Sequence, residues 1–367
     1  MACEHCGVHK AIILRPKNKQ KVCKECFYEL FENEIHSLIL NTNMFEKGSR
    51  VGVGISGGKD STVLAYVLDK LNKKYDYGIE LILLCVDEGI SGYRDRSIDT
   101  VHENQRILGL DLKIVSYEEI FGITMDEIVK KIGKKGNCTY CGILRRQSLE
   151  EAARKMNVDC IVTGHNADDL AETVLLNIFR GDCSRLKRCT LSKTREQLIP
   201  ENSIISNKSD DITNEYEISN KDFLNEFKDP SNNTQSLQNI STEIKNTSKF
   251  LSLARCKPFK YSYQKEIVLY AYFKKLPYFS TECTYAPGAS RGDFRKLIKD
   301  LEKVDSGIIL KLIKSGEYFL DDTPTYVKIR KCINCTHPTS SQNQICNACD
   351  MIQKLKNMKT FGCSKDL

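Results

Sequence analysis

Residues 51–61 read VGVGISGGKDS, an apolar run followed at once by a glycine-rich turn. Apolar residues then recur at helical spacing from Val63 to Leu71, so the segment predicts a buried strand, a tight turn and a helix. Glycines let backbone N–H groups approach an anion closely, and a helix N-terminus adds partial positive charge. Lys59 adds a full positive charge, and we therefore predict a phosphate-binding loop here.

Two other nucleotide-binding patterns overlap this turn. A Walker A loop needs Ser or Thr directly after its Gly-Lys pair, and Asp60 stands there instead. Gly52, Gly54 and Gly57 match the GxGxxG pattern of dinucleotide-binding folds, but turn geometry alone often demands such glycines. A Rossmann-type site and a purely structural turn are the alternatives to the phosphate loop.

Strand and helix patterns alternate through the first half of the chain. LILLCV (81–86) and CIVTG (160–164) have the length and apolar character of buried strands. Further helical patterns lie at 27–39, 95–108, 143–156, 168–179, 263–275 and 291–315. This alternation predicts the α/β class, with a parallel sheet covered by helices on both faces.

Composition sets limits on the function. The chain has 367 residues, of which 41% are hydrophobic and 28% charged, which fits a soluble globular protein and excludes a wholly disordered or collagen-like chain. No apolar run reaches the ~18 residues of a membrane span, and no apolar signal core opens the chain, so we expect a cytoplasmic protein without a membrane partner. Residues 191–253 are rich in Asn and predict a disordered insertion. Their net charge of −3 leaves +10 on the rest of the chain, which favours a polyanionic partner.

Polar side chains follow the other two predicted strands. Val86 and Asp87 end one strand, and Gly164 and His165 follow the next, at the sheet edge where open α/β folds bind ligands. The adjacent carboxylates Asp168 and Asp169 could hold Mg²⁺ on phosphates or orient a reacting group, or one of them could simply cap the helix. His165 is a candidate acid–base group or a hydrogen-bonded structural residue.

The chain has 17 cysteines, and five pairs have CxxC spacing, where random placement would give roughly one. Disulfide frameworks belong to short secreted chains, so metal binding is the better interpretation. Two sets have the spacing of closed four-thiolate zinc sites, which are usually structural. The first set is Cys3, Cys6, Cys23 and Cys26, and the second is Cys332, Cys335, Cys346 and Cys349.

The remaining pair, Cys138 and Cys141, lies inside the nucleotide-binding unit with no second pair nearby. It is either a redox dithiol or two ligands of a cluster that a distant cysteine completes. Spacing alone does not choose that third cysteine.

The order of these motifs resembles the cytoplasmic tRNA 2-thiolation protein 1 family, a branch of the PP-loop ATPase superfamily that includes the tRNA 2-thiouridine synthetases. The motifs that carry the resemblance, between the two four-cysteine modules, are SGGKDS, VDEGI-GYR, CTYCGILRR, GHNADDLAET, CKPFKYSYQKEIVLYAYF and STECTYAPGASRG. The likeness covers nearly the whole chain outside 191–253. Two departures are Gly288 and Ser290, where we expect bulkier residues.

The resemblance implies a PP-loop domain, of the adenine nucleotide α-hydrolase type, that binds ATP and Mg²⁺ between two zinc modules. It implies that Cys138, Cys141 and Cys283 bind a [4Fe–4S] cluster. The catalytic residues it implies are Asp169, then Asp168, with Lys59 and Arg145. The nucleotide would be bound by Ser56, Gly57, Gly58, Lys59, Asp60, Ser61, Val86, Asp87, Gly164 and His165.

The function implied is ATP-dependent 2-thiolation of the wobble uridine of tRNA. AMP would be transferred to the C2 oxygen, and sulfur from a ubiquitin-like thiocarboxylate carrier would then replace it. A homologous tRNA 2-thiolation protein 2 subunit, or a second copy of the chain, would be the partner. The alternatives are 2-thiolation of tRNA cytidine and a non-catalytic, zinc-containing tRNA-binding scaffold.

We expect five regions along the chain. They are a zinc module with its linking helix at 1–40, the PP-loop domain at 41–190, the insertion at 191–253, a helical remainder at 254–325, and a second zinc module with a tail at 326–367.

Overall fold

The computed structural model describes residues 1–133, 136–194, 253–281, 283–286, 291–318 and 329–358. These residues form two compact units. The larger unit contains the described residues of 1–194, 253–318 and 347–358, and the smaller one contains 329–346. Most of the predicted insertion, and the departures at Gly288 and Ser290, lie outside the described residues.

The larger unit opens with a small cysteine-bearing module. A two-stranded hairpin, β1 (Ile13–Leu14) and β2 (Lys21–Val22), leads into the long helix α1 (Lys24–Asn41). The Cys23 side chain caps this helix by accepting a hydrogen bond from the Cys26 N–H. Apolar residues of α1, among them Phe27 and Phe31, are fully buried in the core of the unit.

The core of the larger unit is a six-stranded sheet with the order β5-β4-β3-β6-β8-β7. Its strands are β3 (Arg50–Gly54), β4 (Glu80–Asp87), β5 (Asp111–Ser116), β6 (Cys160–Val162), β7 (Lys193–Thr194) and β8 (Ala254–Cys256). The first five in this order are parallel, and β7 pairs antiparallel with β8. The predicted parallel sheet is confirmed, except that the prediction did not include this antiparallel edge.

Helices connect and cover these strands. They are α2 (Lys59–Tyr75), α3 (Arg94–Leu108), α4 (Tyr117–Phe121), α5 (Met125–Ile132), α6 (Asn137–Lys155), α7 (Ala167–Phe179), α8 (Cys183–Cys189), α9 (Gln264–Lys274), α10 (Arg291–Val304) and α11 (Ile308–Tyr318). The apolar stripe of α2 is buried in full from Val63 to Leu71, and each buried Leu or Val contributes about 1.5–3 kcal/mol. This packing anchors the helix whose N-terminus follows the glycine-rich turn.

The predicted helix at 291–315 is two helices. Asp305 accepts a hydrogen bond from the Gly307 N–H at 2.9 Å, and this local turn separates α10 from α11. Helix α6 also begins earlier than predicted, so Cys138 and Cys141 lie in its first turns.

The smaller unit contains a short antiparallel pair, β9 (Arg330–Lys331) and β10 (Pro338–Thr339). Helix α12 (Asn347–Asn357), which follows in the chain, is assigned to the larger unit. Among all the described residues, none of the helices combines the length and the apolar character needed to cross a membrane.

Candidate active site

A cavity of about 260 Å³ opens at the carboxyl ends of β3, β4 and β6. The chain moves from β3 to β4 on one side and returns to β6 on the other, so this is the switch point where α/β sheets bind ligands. Nine residues predicted for the site line it: Ser56, Gly58, Asp60, Ser61, Val86, Arg145, Gly164, His165 and Asp169. Gly57, Lys59, Asp87 and Asp168 are not among the lining residues.

The glycine-rich turn forms the floor of the cavity. Gly57 has a φ of +78°, and a Cβ atom there would lie 2.4 Å from the Ser97 carbonyl oxygen, so only glycine fits. The Ser61 hydroxyl accepts from the Ser56 N–H at 3.1 Å and donates to the Gly58 carbonyl at 3.0 Å, which fixes the turn. Helix α2 then starts without a side-chain hydrogen bond at its N-cap, Gly58. Its first N–H groups suit an anion.

Two carboxylates face each other beside this turn. The Asn166 side-chain amide donates to Asp60 at 3.1 Å, and Asn166 and Asp169 form a reciprocal capping box at the start of α7. Burial raises the pKa of both Asp60 and Asp169, and the charge of Asp169 adds to the shift at Asp60. Paired carboxylates at a phosphate-binding loop are suitable ligands for Mg²⁺.

The neighbouring carboxylate, Asp168, has a different position. It is buried, and it accepts hydrogen bonds from the Gln264 N–H at 2.8 Å and from the Lys299 ammonium at 2.6 Å. Successive residues on a helix point about 100° apart, so Asp169 faces the cavity while Asp168 joins α7 to α9 and α10. This position favours a structural role for Asp168, and its predicted catalytic role has no support from the geometry.

Glu88 lines the cavity, although only its neighbours Val86 and Asp87 in the VDEGI-GYR motif were predicted as site residues. It is 3% exposed and lies between two guanidinium groups, 2.7 Å from Arg145 Nε and 3.2 Å from Arg94 Nε. Arg94 also donates to the Ser56 carbonyl at 3.3 Å. Glu88 therefore joins the glycine-rich turn to Arg145. A buried acid after a strand gives no periodic signal, although its place directly after Asp87 could have suggested it.

His165 lies at the exposed rim of the cavity, where its Nδ1 is 2.8 Å from the Thr163 hydroxyl. The surrounding protein desolvates the ring and lowers its pKa to about 4, and nearby cations add to the shift. These cations are Lys257, Arg291, Arg146 and Arg255. The rim is therefore strongly positive, and His165 is neutral at neutral pH.

Cys138 and Cys141 lie at the start of α6, beside the cavity. The Arg145 guanidinium is 3.4 Å from the Cys141 sulfur, and the Tyr117 hydroxyl is 3.7 Å from it. Burial raises the pKa of Cys141, and the nearby Cys283 adds to this shift. The Asn137 side-chain amide, next to Cys138 in α6, lies 3.4 Å from the Tyr285 carbonyl, so the segment that carries Cys283 contacts the start of α6.

The two four-cysteine sets are more compact. Within each set all four sulfurs lie within 4.8 Å of one another, as one tetrahedral metal ion requires. Among the described residues, Cys138, Cys141 and Cys283 do not form such a compact group. A cluster takes one thiolate per iron and so holds its cysteines further apart, which makes the two arrangements suitable for different groups.

Comparison with known proteins places the chain in a family. The PP-loop domain profile matches residues 27–200. The cytoplasmic tRNA 2-thiolation protein 1 of Dictyostelium discoideum is 47% identical over 357 residues, which cover 97% of this chain and 84% of that protein. The protein of the same name from Schizosaccharomyces pombe is 45% identical, covering 99% and 94%. This chain belongs to the cytoplasmic tRNA 2-thiolation protein 1 family.

The fold of this chain also resembles that of a solved structure. It is similar to the U34-tRNA thiolase NcsA from Methanococcus maripaludis, which was solved with its [4Fe-4S] cluster, at a TM-score of 0.70 and 24% identity. The likeness covers 97% of this chain and 96% of NcsA. It supports the PP-loop architecture predicted from the sequence for the 2-thiolation family.

Proposed function

We propose that this protein is an ATP-dependent sulfurtransferase that converts the wobble uridine of tRNA to 2-thiouridine in the cytoplasm. Membership of the tRNA 2-thiolation family supports the reaction class, the tRNA substrate and the compartment. One observation on the site carries the proposal further. Arg145 lines the nucleotide cavity and also contacts the sulfur of Cys141, so the activating and sulfur-delivering parts share one residue.

The cavity fits the activation step. The glycine-rich turn and the start of α2 would bind the β and γ phosphates of ATP, with Lys59 adding charge at the loop. Asp60 and Asp169 would hold Mg²⁺ on the phosphates. The C2 oxygen of uracil then attacks the α phosphorus and pyrophosphate leaves, which turns a poor leaving group into AMP. Asp169 is the first candidate for orienting the reacting oxygen.

The cysteine edge of the cavity, which carries Cys138, Cys141 and Cys283, fits the sulfur-transfer step. Cys138, Cys141 and Cys283 suit a [4Fe–4S] cluster because the segment that carries Cys283 contacts the start of α6, and the three thiols are less compact than a zinc site requires. When bound, such a cluster would supply Lewis-acidic iron for sulfur delivery. A C–S bond would form at C2 as the C–O bond to AMP breaks, and water would replace the sulfur on the thiocarboxylate carrier, which leaves a carboxylate there. Arg145 would stabilise negative charge as AMP departs.

The positive rim fits the tRNA backbone. The cations around His165 lie at the rim of the cavity and would contact phosphates of the nucleotides that flank the target uridine, and such contacts make binding salt-dependent. A ubiquitin-like thiocarboxylate carrier would supply sulfur, and a homologous tRNA 2-thiolation protein 2 subunit or a second copy would complete the active unit. Zn²⁺ in the two four-cysteine sets would be structural.

Mass spectrometry of tRNA nucleosides from cells depleted of this protein tests the proposal. Loss of 2-thiouridine derivatives, restored by the wild type and not by Cys283→Ser, is the expected result. Restoration by Cys283→Ser would remove that cysteine from the ligand set. Unchanged 2-thiouridine would refute the proposal, and a selective fall in 2-thiocytidine would favour cytidine thiolation.

A second measurement separates an enzyme from a scaffold. The purified protein should release pyrophosphate from ATP in a tRNA-dependent reaction, and Lys59→Ala should slow it. A scaffold that only binds tRNA would release none.

A further inference from the structure

Cys283 is the least anchored of the three cysteines at the cavity edge. It follows Cys141 by 142 residues, and the described residues around it, 283–286, belong to no helix or strand. A chain segment of this kind has to be held by specific contacts if its thiol is to stay beside α6. The contacts that hold it converge on Tyr285.

The Tyr285 hydroxyl donates to Asp126 Oδ1 at 2.7 Å. The other oxygen of Asp126 accepts from both the backbone N–H and the hydroxyl of Ser91, at 3.0 and 2.7 Å. One carboxylate thus joins the loop after β4, the first turn of α5 and the segment that carries Cys283. Charge-assisted hydrogen bonds of this kind are among the stronger ones in proteins.

The backbone of the same segment contacts α6. The Asn137 side-chain amide lies 3.4 Å from the Tyr285 carbonyl, and Asn137 is 3% exposed and directly precedes Cys138. The Ala286 N–H also donates to the Cys283 carbonyl at 2.9 Å, which closes a tight turn around the cysteine. Tyr285 is therefore attached to α5 through its side chain and to α6 through its backbone.

We propose that Asp126 and Tyr285 are positioning residues that hold Cys283 beside Cys141 before any cluster binds. The inference rests on the proposed role of Cys283 as a ligand. With these contacts in place, the three thiols are preorganised, and cluster binding does not have to order the 283–286 segment. Outer residues that orient metal ligands typically change metal affinity by about 10–100-fold when they are lost.

The test compares Tyr285→Phe and Asp126→Asn with a matched control, Tyr261→Phe. Tyr261 makes the same type of bond, with its hydroxyl 2.6 Å from Glu317, away from the cysteine edge. Each protein is reconstituted anaerobically with iron and sulfide, and iron retention is measured against a competing chelator. We expect about tenfold weaker retention in both test variants and none of this loss in the control. The double variant should be little worse than Asp126→Asn alone, because the hydrogen bond that Tyr285→Phe removes is already weakened by that substitution.

A second measurement on the cluster-free full chain keeps the two proposals separate. A short bifunctional thiol reagent should link Cys141 to Cys283 in the wild type, and Tyr285→Phe should slow the formation of that peptide pair. If the wild type retains no iron but Tyr285→Phe still slows the cross-linking of Cys141 to Cys283, the cluster proposal fails and the positioning role stands. Wild-type iron retention with an equal linking rate in all variants would overturn the positioning role.

Discussion

The N-terminal cysteine module and the cysteine edge of the cavity place the same residue type in opposite settings. In the module, Cys3, Cys23 and Cys26 are buried, and backbone N–H groups donate to the sulfurs, as from Cys23 to Cys3 at 3.2 Å. At the cavity edge Cys138 is exposed, and the donors to Cys141 are the side chains of Arg145 and Tyr117.

This difference indicates how each set works. Four thiolates with backbone donors make a filled and rigid coordination shell, and such sites contribute to folding. Three thiolates would leave one iron of the proposed cluster open for chemistry, and the side-chain donors to Cys141 can respond to a ligand in the cavity.

The largest effects should come from one cysteine substitution in each set. Cys141→Ser should reduce tRNA thiolation to background while the melting temperature stays near that of the wild type. Cys26→Ser should lower the melting temperature strongly, because a structural metal site contributes directly to folding. Nucleoside mass spectrometry and calorimetry on both variants make the comparison. A Cys26→Ser protein with normal stability would show that the module is not a structural site.

A large stability effect is also expected where the module joins the core. Arg15 is 1% exposed, and it lies 2.8 Å from Glu34 and 2.9 Å from the fully buried Glu266 of α9. Arg15→Ala should cost about 3–5 kcal/mol, since it leaves a buried carboxylate without its partner. Lys73→Ala, which breaks an exposed pair on α2, is the control and should cost about 0.3–0.5 kcal/mol.

The loss of unfolding free energy caused by Arg15→Ala should depend on pH. Burial already raises the pKa of Glu266, and loss of Arg15 raises it further. A raised pKa favours the folded state at low pH, so the deficit should grow from pH 5 to pH 8 as the carboxyl ionises. Urea unfolding at both pH values measures it, and a deficit that shrinks with rising pH would contradict this account.

Effects of intermediate size on turnover and stability should distinguish Asp168 from Asp169, the adjacent carboxylates on α7. Asp169→Asn should slow turnover by about 100-fold or more with little change in stability, because it removes a charge that faces the cavity. Asp168→Asn should instead lower stability by about 1–3 kcal/mol, through its bonds to Lys299 and Gln264. Single-turnover assays and thermal unfolding on both proteins test this, and exchanged phenotypes would reverse the assignment.

The smallest effect concerns pH. His165 has a pKa of about 4, so it should remain neutral from pH 6 to pH 8 and add no ionisation to the thiolation rate in that range. His165→Asn should leave the shape of the pH profile unchanged. A change in the thiolation rate centred near pH 6.5 in the wild type, absent from this variant, would assign the histidine an acid–base role.

Much of this fold could be predicted because its central strands are continuous apolar runs. β3, β4 and β6 lie where the sequence indicated, and so does the helix after SGGKDS. The strands of the central sheet that were missed, β5, β7 and β8, are half-exposed or only two to three residues long. Such strands form because an adjacent strand of the sheet is available to pair with them. The pattern of apolar residues within the segment does not reveal that pairing.

The candidate site was predictable to a similar degree. Residues in the glycine-rich turn and after the strands were found, because sheet topology brings strand ends together. Glu88 and Asp126 were not predicted as site residues, because their roles depend on partners that only folding brings near. Asp168 and Asp169 were indistinguishable in sequence, and only the packing of α9 and α10 against α7 separates them.

The antiparallel pairing of β7 with β8 has a consequence for the evolution of chain length. Thr194 pairs directly with Arg255, so the 60 residues between them begin and end at neighbouring points on the sheet. For a flexible connection between two fixed points, the entropy of closure grows only with the logarithm of its length, so each doubling costs about 0.6 kcal/mol. Residues added or deleted between β7 and β8 should therefore cost little, while a single residue inserted within β3 would shift its register against both β4 and β6.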